Sequence, residues 1–512
     1  MNTTGITQFL IDHAGRDTVS FHMPGHKGAR LYKRFGYDSF LDNIVDCDIT
    51  EIVGADNLFQ TESIIADTMA KYRKLFDAKT SYLLINGSSG GIIASIMACV
   101  PQGGKLIMAR NCHKSVFSGL ALGGIRPVYA HPSMVEEYGI TGPVEPEEIE
   151  RLLSENPDAS AVILPSPNYY GICSDIRAIA EIVHAAGKFL IVDQAHGAHL
   201  KFFEACGVAG AADAAGAAGA ADAAGASVDG PFAVPESAET QGADLVINST
   251  HKTLCSFTQS AVLNVPAGSR FDDLYHLEDK LQQMESTSPS YLLMASLDIN
   301  ADILAAHGGE LFEAWRDNLN YFYQEAAGID GLAFMQVKDG ARQAMDMTKI
   351  NLDMSACGLD GHQLEEVLLE REIYAELVTG NILMCMTGIG NSREDYDRLL
   401  AALREISETH PAMQNIAFAA DSGSTDAATA GAALWTKHRT LHEMPRVKEL
   451  VPLQQCAGRI CAASLIPYPP GIPLICPGEE IEAEEIDYIT SLRNQGDKVI
   501  GVGADGRIAV GK

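Results

Sequence analysis

Lys252 stands just beyond a short apolar run, Leu245 to Ile247, and the polar residues 248–251 separate the two. This pattern predicts a buried strand with a lysine at its carboxyl end, the edge of an open α/β sheet where ligands bind. A lysine amine attacks an aldehyde only when desolvation or cationic neighbours favour its neutral form. We therefore interpret Lys252 as a Schiff-base lysine. The alternative is a solvated lysine that follows an edge strand.

A phosphate site is the second chemistry that the sequence indicates. Residues Asn86 to Gly91 follow a predicted strand and open a helix, and they include Ser88 and Ser89. Free backbone N–H groups at a helix start, together with hydroxyl groups, bind phosphate. The segment lacks the Gly-Lys-Ser/Thr ending of a Walker loop, and Gly and Ser also mark ordinary strand-to-helix turns.

An acid and a histidine follow two further apolar runs. Asp193 ends the run that begins at Phe189, and a buried carboxylate there needs a cationic or strongly donating partner such as a pyridinium nitrogen. His113 follows the run Lys105 to Met108, where a flat imidazole could stack on an aromatic ring. The alternatives are an acid that caps the next turn and a packed structural histidine.

The elements that must position these residues alternate between strand and helix from about residue 76 to residue 310. Such alternation predicts an α/β fold with a mostly parallel central sheet and helices on both faces. We predict strands at Tyr82–Ile85, Lys105–Met108, Ala161–Leu164, Phe189–Val192 and Leu245–Ile247. We predict helices at Gly91–Val100, Pro146–Ser154 and Ile176–Ala186, and an amphipathic helix at Gly361–Glu370.

Four regions are predicted along the chain: an N-terminal arm (1–75), a large domain (76–310), a small C-terminal domain (311–410) and a last domain (411–512). Two near copies of an Ala-rich nonapeptide begin at Gly210 and Gly219, so residues 208–241 are predicted to be a surface insertion without a catalytic role. The segment Pro467–Pro473 contains too many prolines for a helix or a central strand and predicts a fixed loop.

Composition excludes several classes of protein. A formal net charge of -30 argues against binding to nucleic acid or to anionic membranes, and it is compatible with a small cationic substrate. Eleven cysteines are scattered without a C-x-x-C pair, which indicates reduced thiols and no metal site. The N-terminus lacks a signal pattern and no apolar run approaches a membrane span, so we expect a cytoplasmic enzyme.

Six separated stretches, in the same order, resemble the Orn/Lys/Arg decarboxylase family over nearly the whole chain. They are Phe21–Gly28, Asp193–His199, Ser249–Thr253, Thr258–Gln259, Ser286–Tyr291 and Pro467–Pro473. The resemblance implies pyridoxal 5'-phosphate as the cofactor and the fold of aspartate aminotransferase, fold type I, with a large domain and a smaller C-terminal α+β part. It is to a short form without the N-terminal receiver-like domain of the long members, so we expect no large ring assemblies.

The resemblance also implies roles for individual residues. Lys252 would carry the cofactor, Asp193 would pair with its pyridine nitrogen, His113 would stack on its ring and His196 would lie beside it. The phosphate would be held by Ser88, Ser89, Ser249 and His251. Thr287 would reach the phosphate of a partner subunit, so we expect at least a homodimer. One departure is Gln194, since family members usually carry Glu there.

The implied reaction is the decarboxylation of arginine, lysine or ornithine to the amine and CO2, and we favour arginine. Glu479 is a candidate for the acid that meets the far end of the substrate, and the alternative is an exposed acid on a polar loop. Two other functions stay open. One is an aminotransferase or lyase reaction with the same cofactor, and the other is a non-catalytic scaffold that uses the fold as a binding surface.

Overall fold

The computed structural model of the chain describes residues 5–205, 234–335, 344–411, 434, 437, 439, 442, 445–468 and 472–512. The Ala-rich repeats and three residues of the proline-rich segment, 469–471, lie outside the described residues. No helix in the described part of the chain combines the length and the apolar character needed to cross a membrane.

Seven strands form the central sheet, and six of them run parallel to one another. In chain order they are β1 (Ala78–Leu84), β2 (Lys105–Ala109), β3 (Arg126–Ala130), β4 (Ala159–Pro165), β5 (Phe189–Asp193), β6 (Leu245–Asn248) and β7 (Ala261–Pro266). In space they lie in the order β1-β7-β6-β5-β4-β2-β3, with β7 antiparallel to both of its neighbours. The prediction of a mostly parallel sheet is confirmed, although β3 and β7 were not predicted.

Helices cover both faces of this sheet and continue beyond it. Those of nine or more residues are α1 (Ile6–Ala14), α2 (Ile64–Leu75), α3 (Gly87–Cys99), α4 (Lys114–Gly123), α5 (Pro146–Glu155), α6 (Ile176–Ala185), α7 (Leu274–Met284), α8 (Tyr291–Ala326), α9 (Gly361–Leu369), α10 (Arg393–Thr409) and α11 (Ala483–Gln495). Shorter helices span Arg30–Arg34, Asp38–Asp42, Leu200–Ala205 and Thr250–Thr253.

The central strands are buried because both of their faces are covered. All four residues of β6 are buried, as are all but the first residue of β5. Near-continuous apolar runs are typical of parallel strands packed between two helical layers. The helix α3 lies so close to the sheet that a Cβ atom at Gly91 would stand 2.5 Å from the Cδ1 atom of Leu84.

A second, antiparallel sheet follows the 36-residue helix α8. Its strands are β8 (Ala333–Phe334), β9 (Lys349–Asp353), β10 (Leu377–Thr379) and β11 (Ile382–Met386), in the spatial order β8-β9-β11-β10. Helix α9 begins with a capping box made by Asp360 and Gln363, which confirms the predicted amphipathic helix. Short strand pairs join Val19–Ser20 to Ile373–Tyr374, Ile172–Cys173 to Ala344–Met345 and Met134–Val135 to Ile140–Thr141.

Residues 445–468 and 472–512, together with Leu434, form an apolar core of their own around Leu453, Leu465 and Ile489. Lys448–Pro452 pairs with Arg507–Gly511, and Ile466–Tyr468 pairs with Lys498–Ile500. The prediction that the whole segment 467–473 is a loop is therefore wrong at its start. Pro467 lies in a two-stranded sheet, in which each strand is an edge strand. A proline is tolerated in an edge strand because its missing N–H is not needed for a second neighbouring strand.

The predicted surface insertion is wrong at its C-terminal end. Residues 234–241 fold back onto the central sheet, and Val234, Ser237, Ala238 and Glu239 are buried there. Glu239 is held by hydrogen bonds from side chains of the strands β6 and β7. Polar and small residues in this stretch suggested a solvated segment, but their polar groups are satisfied inside the protein.

The N-terminal arm packs its Phe21–Gly28 segment against the helix that carries Lys252. The Gly25 N–H donates to the carbonyl oxygen of His251 at 2.8 Å. A Cβ atom at Gly25 would lie 2.4 Å from the carbonyl carbon of Thr253 and 2.5 Å from the oxygen of Leu254. Gly25 is therefore required by this close approach of two backbones.

We expect Gly25→Ala to lower the free energy of unfolding by about 1–3 kcal/mol, because overpacking forces two backbones apart. Denaturant unfolding of the variant and the parent measures the loss. Gly268→Ala is the control, since a Cβ atom there has no heavy atom within 4 Å. Equal stability of the two variants would contradict the close approach.

Candidate functional site

A cavity opens at the carboxyl edge of the central sheet. Small-molecule sites form at this edge in open α/β sheets. Its walls come from loops after several strands and from the C-terminal segment. The lining residues are Ser88, Asn111, His113, Thr141, Pro165, Pro167, Asn168, Tyr169, Tyr170, Asp193, Ala195, His196, Lys252 and Ile472.

Lys252 lies in the short helix that follows β6, and its amine reaches the cavity. Burial lowers the pKa of Lys252 to about 8, and the negative charges of Asp193 and Glu376 act in the opposite direction. The Nζ atom is 2.8 Å from Nε2 of His196 and 5.8 Å from the ring centre of Tyr169. A substantial fraction of the amine is thus neutral near physiological pH, as a nucleophile requires.

Asp193 is the last residue of β5 and pairs in register with Ile247 of β6. Its Oδ1 atom accepts a hydrogen bond from the Ala195 N–H at 3.1 Å. Burial raises the pKa of Asp193, and the positive charge of Lys252 lowers it. A cationic ring nitrogen in the cavity would stabilise this carboxylate.

Two neutral imidazole rings flank the lysine. His113 caps helix α4, where its Nδ1 atom accepts from the Ser115 N–H at 3.3 Å. Burial and the charge of Lys252 lower the pKa of His113 to about 3. Burial also lowers the pKa of His196, whose ring centre lies 4.4 Å from that of Tyr169. The Nδ1 atom of His196 is buried without a hydrogen-bond partner.

The structure places the predicted phosphate residues after two parallel strands, β1 and β6, which the antiparallel strand β7 separates. Ser88 lines the cavity at the start of α3, and Ser89 follows it on the same turn. Helix α3 has no side-chain cap, so its first N–H groups are free to bind an anion. The Ser249 Oγ atom is buried without a hydrogen-bond partner. The Nδ1 atom of His251 is 2.8 Å from the carbonyl oxygen of Ser260, and His251 does not line the cavity.

Thr287 does not lie in this cavity. It is exposed on the loop between α7 and α8. Its role at the phosphate of a partner subunit stays a prediction.

Several residues of the site were missed by sequence reasoning. Asn168 and Tyr169 follow the strand β4, so the rule that found Asp193 could have found them as well. Glu376 left no signal in the sequence. Its Oε2 atom accepts from the Met23 N–H at 2.8 Å, and its negative charge raises the pKa of both Lys27 and Lys252.

Both sequence interpretations of Glu479 are wrong, because its side chain is wholly buried and bonded inside the protein. Its Oε2 atom lies 3.1 Å from Nη2 of Arg110 and accepts from the Cys476 N–H at 2.7 Å. Arg110 directly follows β2 and also donates to the carbonyl oxygens of Pro473 and Leu474. This Arg110 clamp holds the segment that carries Ile472 against the cavity. No sequence pattern showed that Arg110 and Glu479 would meet.

The sheet, with a lysine beyond β6 and an acid at the end of β5, defines a pyridoxal-phosphate enzyme of fold type I. Lysine decarboxylase A from Pseudomonas aeruginosa has this fold, with a TM-score of 0.70 at 20% identity, over 99% of this chain and 80% of that one. The chain belongs to the Orn/Lys/Arg decarboxylase family. Its major-domain model matches residues 4–224 and 233–338, and its C-terminal-domain model matches residues 430–505.

Two similar relatives are arginine decarboxylases. The enzyme of Bacillus subtilis is 32% identical over 495 residues, covering 94% of this chain and 91% of the relative. The enzyme of Halalkalibacterium halodurans is 30% identical over 503 residues, covering 96% of this chain and 94% of the relative.

The lowered pKa of Lys252 gives a prediction for the cofactor-free protein. We expect its rate of combination with pyridoxal phosphate to rise with pH and to level off above about 8, where the amine is neutral. Asp193→Asn should shift the midpoint to lower pH, because the Asp193 charge favours the protonated amine. Stopped-flow absorbance across a pH series measures both midpoints, with Lys252→Ala as the blank. A parent midpoint near the ordinary lysine value of 10.5 would contradict the buried amine.

Proposed function

We propose that this chain decarboxylates a basic amino acid with pyridoxal phosphate, and that the substrate is arginine. The observation that carries the proposal is the Lys252 amine. Burial lowers its pKa, and it lies in the cavity beside His196 and within electrostatic range of Asp193. A surface lysine would have neither the lowered pKa nor these neighbours.

Two observations of this structure fit the cofactor. The Asp193 carboxylate is buried, and a pyridine nitrogen that carries a proton would offset the cost of that burial. The Ser249 hydroxyl is buried without a partner, and the start of α3 has no side-chain cap; each of these suits a phosphate group. We assign Ser88, Ser89, Ser249 and His251 to the phosphate, and the ring face to His113.

Pyridoxal phosphate supplies the electron sink for the carbanion that loss of CO2 leaves at Cα. The residues of this chain do the rest. Lys252 provides the neutral amine, and the Asp193 carboxylate would stabilise a proton on the ring nitrogen of the cofactor. The contact of 2.8 Å between Lys252 Nζ and His196 Nε2 forms a pair that can hold the proton returned to Cα.

The relatives and the charges of the site support arginine. Arginine decarboxylases of Bacillus subtilis and Halalkalibacterium halodurans are similar to this chain over nearly its full length. With Glu479 used inside the protein, we assign the cationic end of the substrate to Glu376, which is within electrostatic range of Lys252. A carboxylate can pair with guanidinium through two hydrogen bonds.

We also propose a cytoplasmic homodimer in which Thr287 reaches the partner's site. The N-terminal arm exposes large apolar side chains, with Ile6 82% exposed and Val53 fully exposed, and Phe9, Leu10 and Val45 more than half exposed. Apolar surface of this extent is typical of a subunit interface.

The substrate is tested by measuring CO2 release from arginine, lysine and ornithine with added pyridoxal phosphate. We expect release from arginine and none from the Lys252→Ala variant, because the reaction needs the Lys252 amine. Release from lysine alone or from ornithine alone would show that this amino acid, and not arginine, is the substrate. A yellow protein that releases CO2 from none of the three would assign the chain to a different reaction of the same cofactor.

We expect Glu376→Gln to raise the KM for arginine roughly tenfold with kcat changed less, because a charged contact to the distant end of the substrate is lost in ground state and transition state alike. Glu372→Gln is the matched control, since the Glu372 side chain is 42% exposed and forms an ion pair with Arg16 at 3.9 Å. Steady-state kinetics of the two variants tests the assignment. Equal KM values in both would remove Glu376 from the substrate site.

A further inference from the structure

Glu239 is a buried carboxylate that is held by amide side chains. It is 8% exposed, and the three amides around it come from the end of β6, the interior of β7 and the loop after β5. Its Oε1 atom accepts from Asn248 Nδ2 at 2.7 Å and from Asn264 Nδ2 at 3.0 Å. Its Oε2 atom accepts from Gln194 Nε2 at 2.8 Å. A buried charge held by neutral donors depends on every one of those hydrogen bonds.

Gln194 connects this cluster to the cavity, because it directly follows Asp193. Its side-chain oxygen accepts from the Ala238 N–H at 2.7 Å, and its Nε2 atom donates to Glu239 and to Asn248 Oδ1. Its backbone N–H donates to the carbonyl oxygen of Ile247, and its own carbonyl oxygen accepts from the Gly197 N–H. The side chain is thus fixed at both polar ends and the backbone on both sides.

The turn that Gln194 fixes is the one that carries three lining residues of the cavity, Asp193, Ala195 and His196. The Ala195 N–H also donates to Asp193. Any shift of Gln194 therefore moves the Asp193 carboxylate, the Ala195 N–H that donates to it and the His196 imidazole together. Displacements of this kind weaken binding and catalysis even when they begin outside the site.

We propose that Glu239 is a positioning residue of the cofactor site, and that it acts through its hydrogen bond to Gln194. This inference rests on the proposed function, in which Asp193 meets the ring nitrogen of pyridoxal phosphate. The pair needs one carboxylate and one amide. With Glu at both positions, two carboxylates at 2.8 Å would repel each other. With Gln at both positions, the amide donors of Asn248, Asn264 and Gln194 would lack the second carboxylate oxygen that now accepts from them.

The test is a set of full-length variants whose affinity for pyridoxal phosphate is measured by absorbance titration. We expect Glu239→Gln and Gln194→Glu each to raise the Kd about tenfold. The double variant restores one carboxylate and one amide, so it should bind the cofactor more tightly than Gln194→Glu alone. An affinity of the double variant no better than that of Gln194→Glu would overturn the pairing.

Asp244→Asn is the matched control for loss of a buried carboxylate. Asp244 is wholly buried at the opposite end of β6, where it accepts from the Leu190 and Arg270 N–H groups, each at 2.8 Å. Thermal unfolding should show lower stability for Asp244→Asn with its Kd for the cofactor unchanged. If Glu239→Gln raised the Kd no more than Asp244→Asn does, Glu239 would be merely structural and the inference would fail.

Asp193→Asn separates this inference from the proposed function. A Kd unchanged in Asp193→Asn would overturn the proposed site and the inference that rests on it. A raised Kd in Asp193→Asn together with a parental Kd in Glu239→Gln would overturn the inference alone. If a single variant does not fold, the double variant decides: a Kd within about threefold of the parent supports the pairing, and a loss as large as that of Asp193→Asn contradicts it.

Discussion

Parallel pairing of β5 with β6 is the constraint on which the site depends. In a parallel sheet the carboxyl ends of neighbouring strands meet at one edge, so residues far apart in sequence reach the same place. The register sets Asp193 opposite Ile247, and the short helix after β6 then brings Lys252 to the cavity. Ser88 and His113 arrive from β1 and β2 by the same geometry.

The second sheet supports this edge through a buried ion pair. Lys349 and Asp346 are both fully buried, with Nζ and Oδ2 2.5 Å apart, and Asp346 also lies 3.0 Å from Nε2 of His199. Lys349 donates to the backbone oxygen of His196 at 2.8 Å. Such a pair is costly to bury unless each partner satisfies the other. It joins the strand β9 to the turn that carries the cavity histidine.

Sequence patterns predicted the strands that have a clear apolar period and the functional residues that follow directly after them. Apolar runs gave β2, β4, β5 and β6, and the polar residues after them led to Lys252, Asp193 and His113. The strand β3 was missed because its sequence, Arg126–Ala130, contains a charge and a proline. Glu239 and Glu479 were misjudged for a common reason. A carboxylate in a polar stretch of sequence is expected to be solvent-exposed. Only in the folded chain do distant amide or arginine side chains come close enough to bind it in the interior.

The Arg110 clamp makes the cavity depend on a segment that is synthesised late. Ile472 completes the wall of the cavity, and Arg110 holds its segment through Pro473 and Leu474. Lys252, Asp193 and His113 all leave the ribosome long before that segment does. The wall of the cavity is therefore complete only after the Ile472 segment has been synthesised and has docked on Arg110.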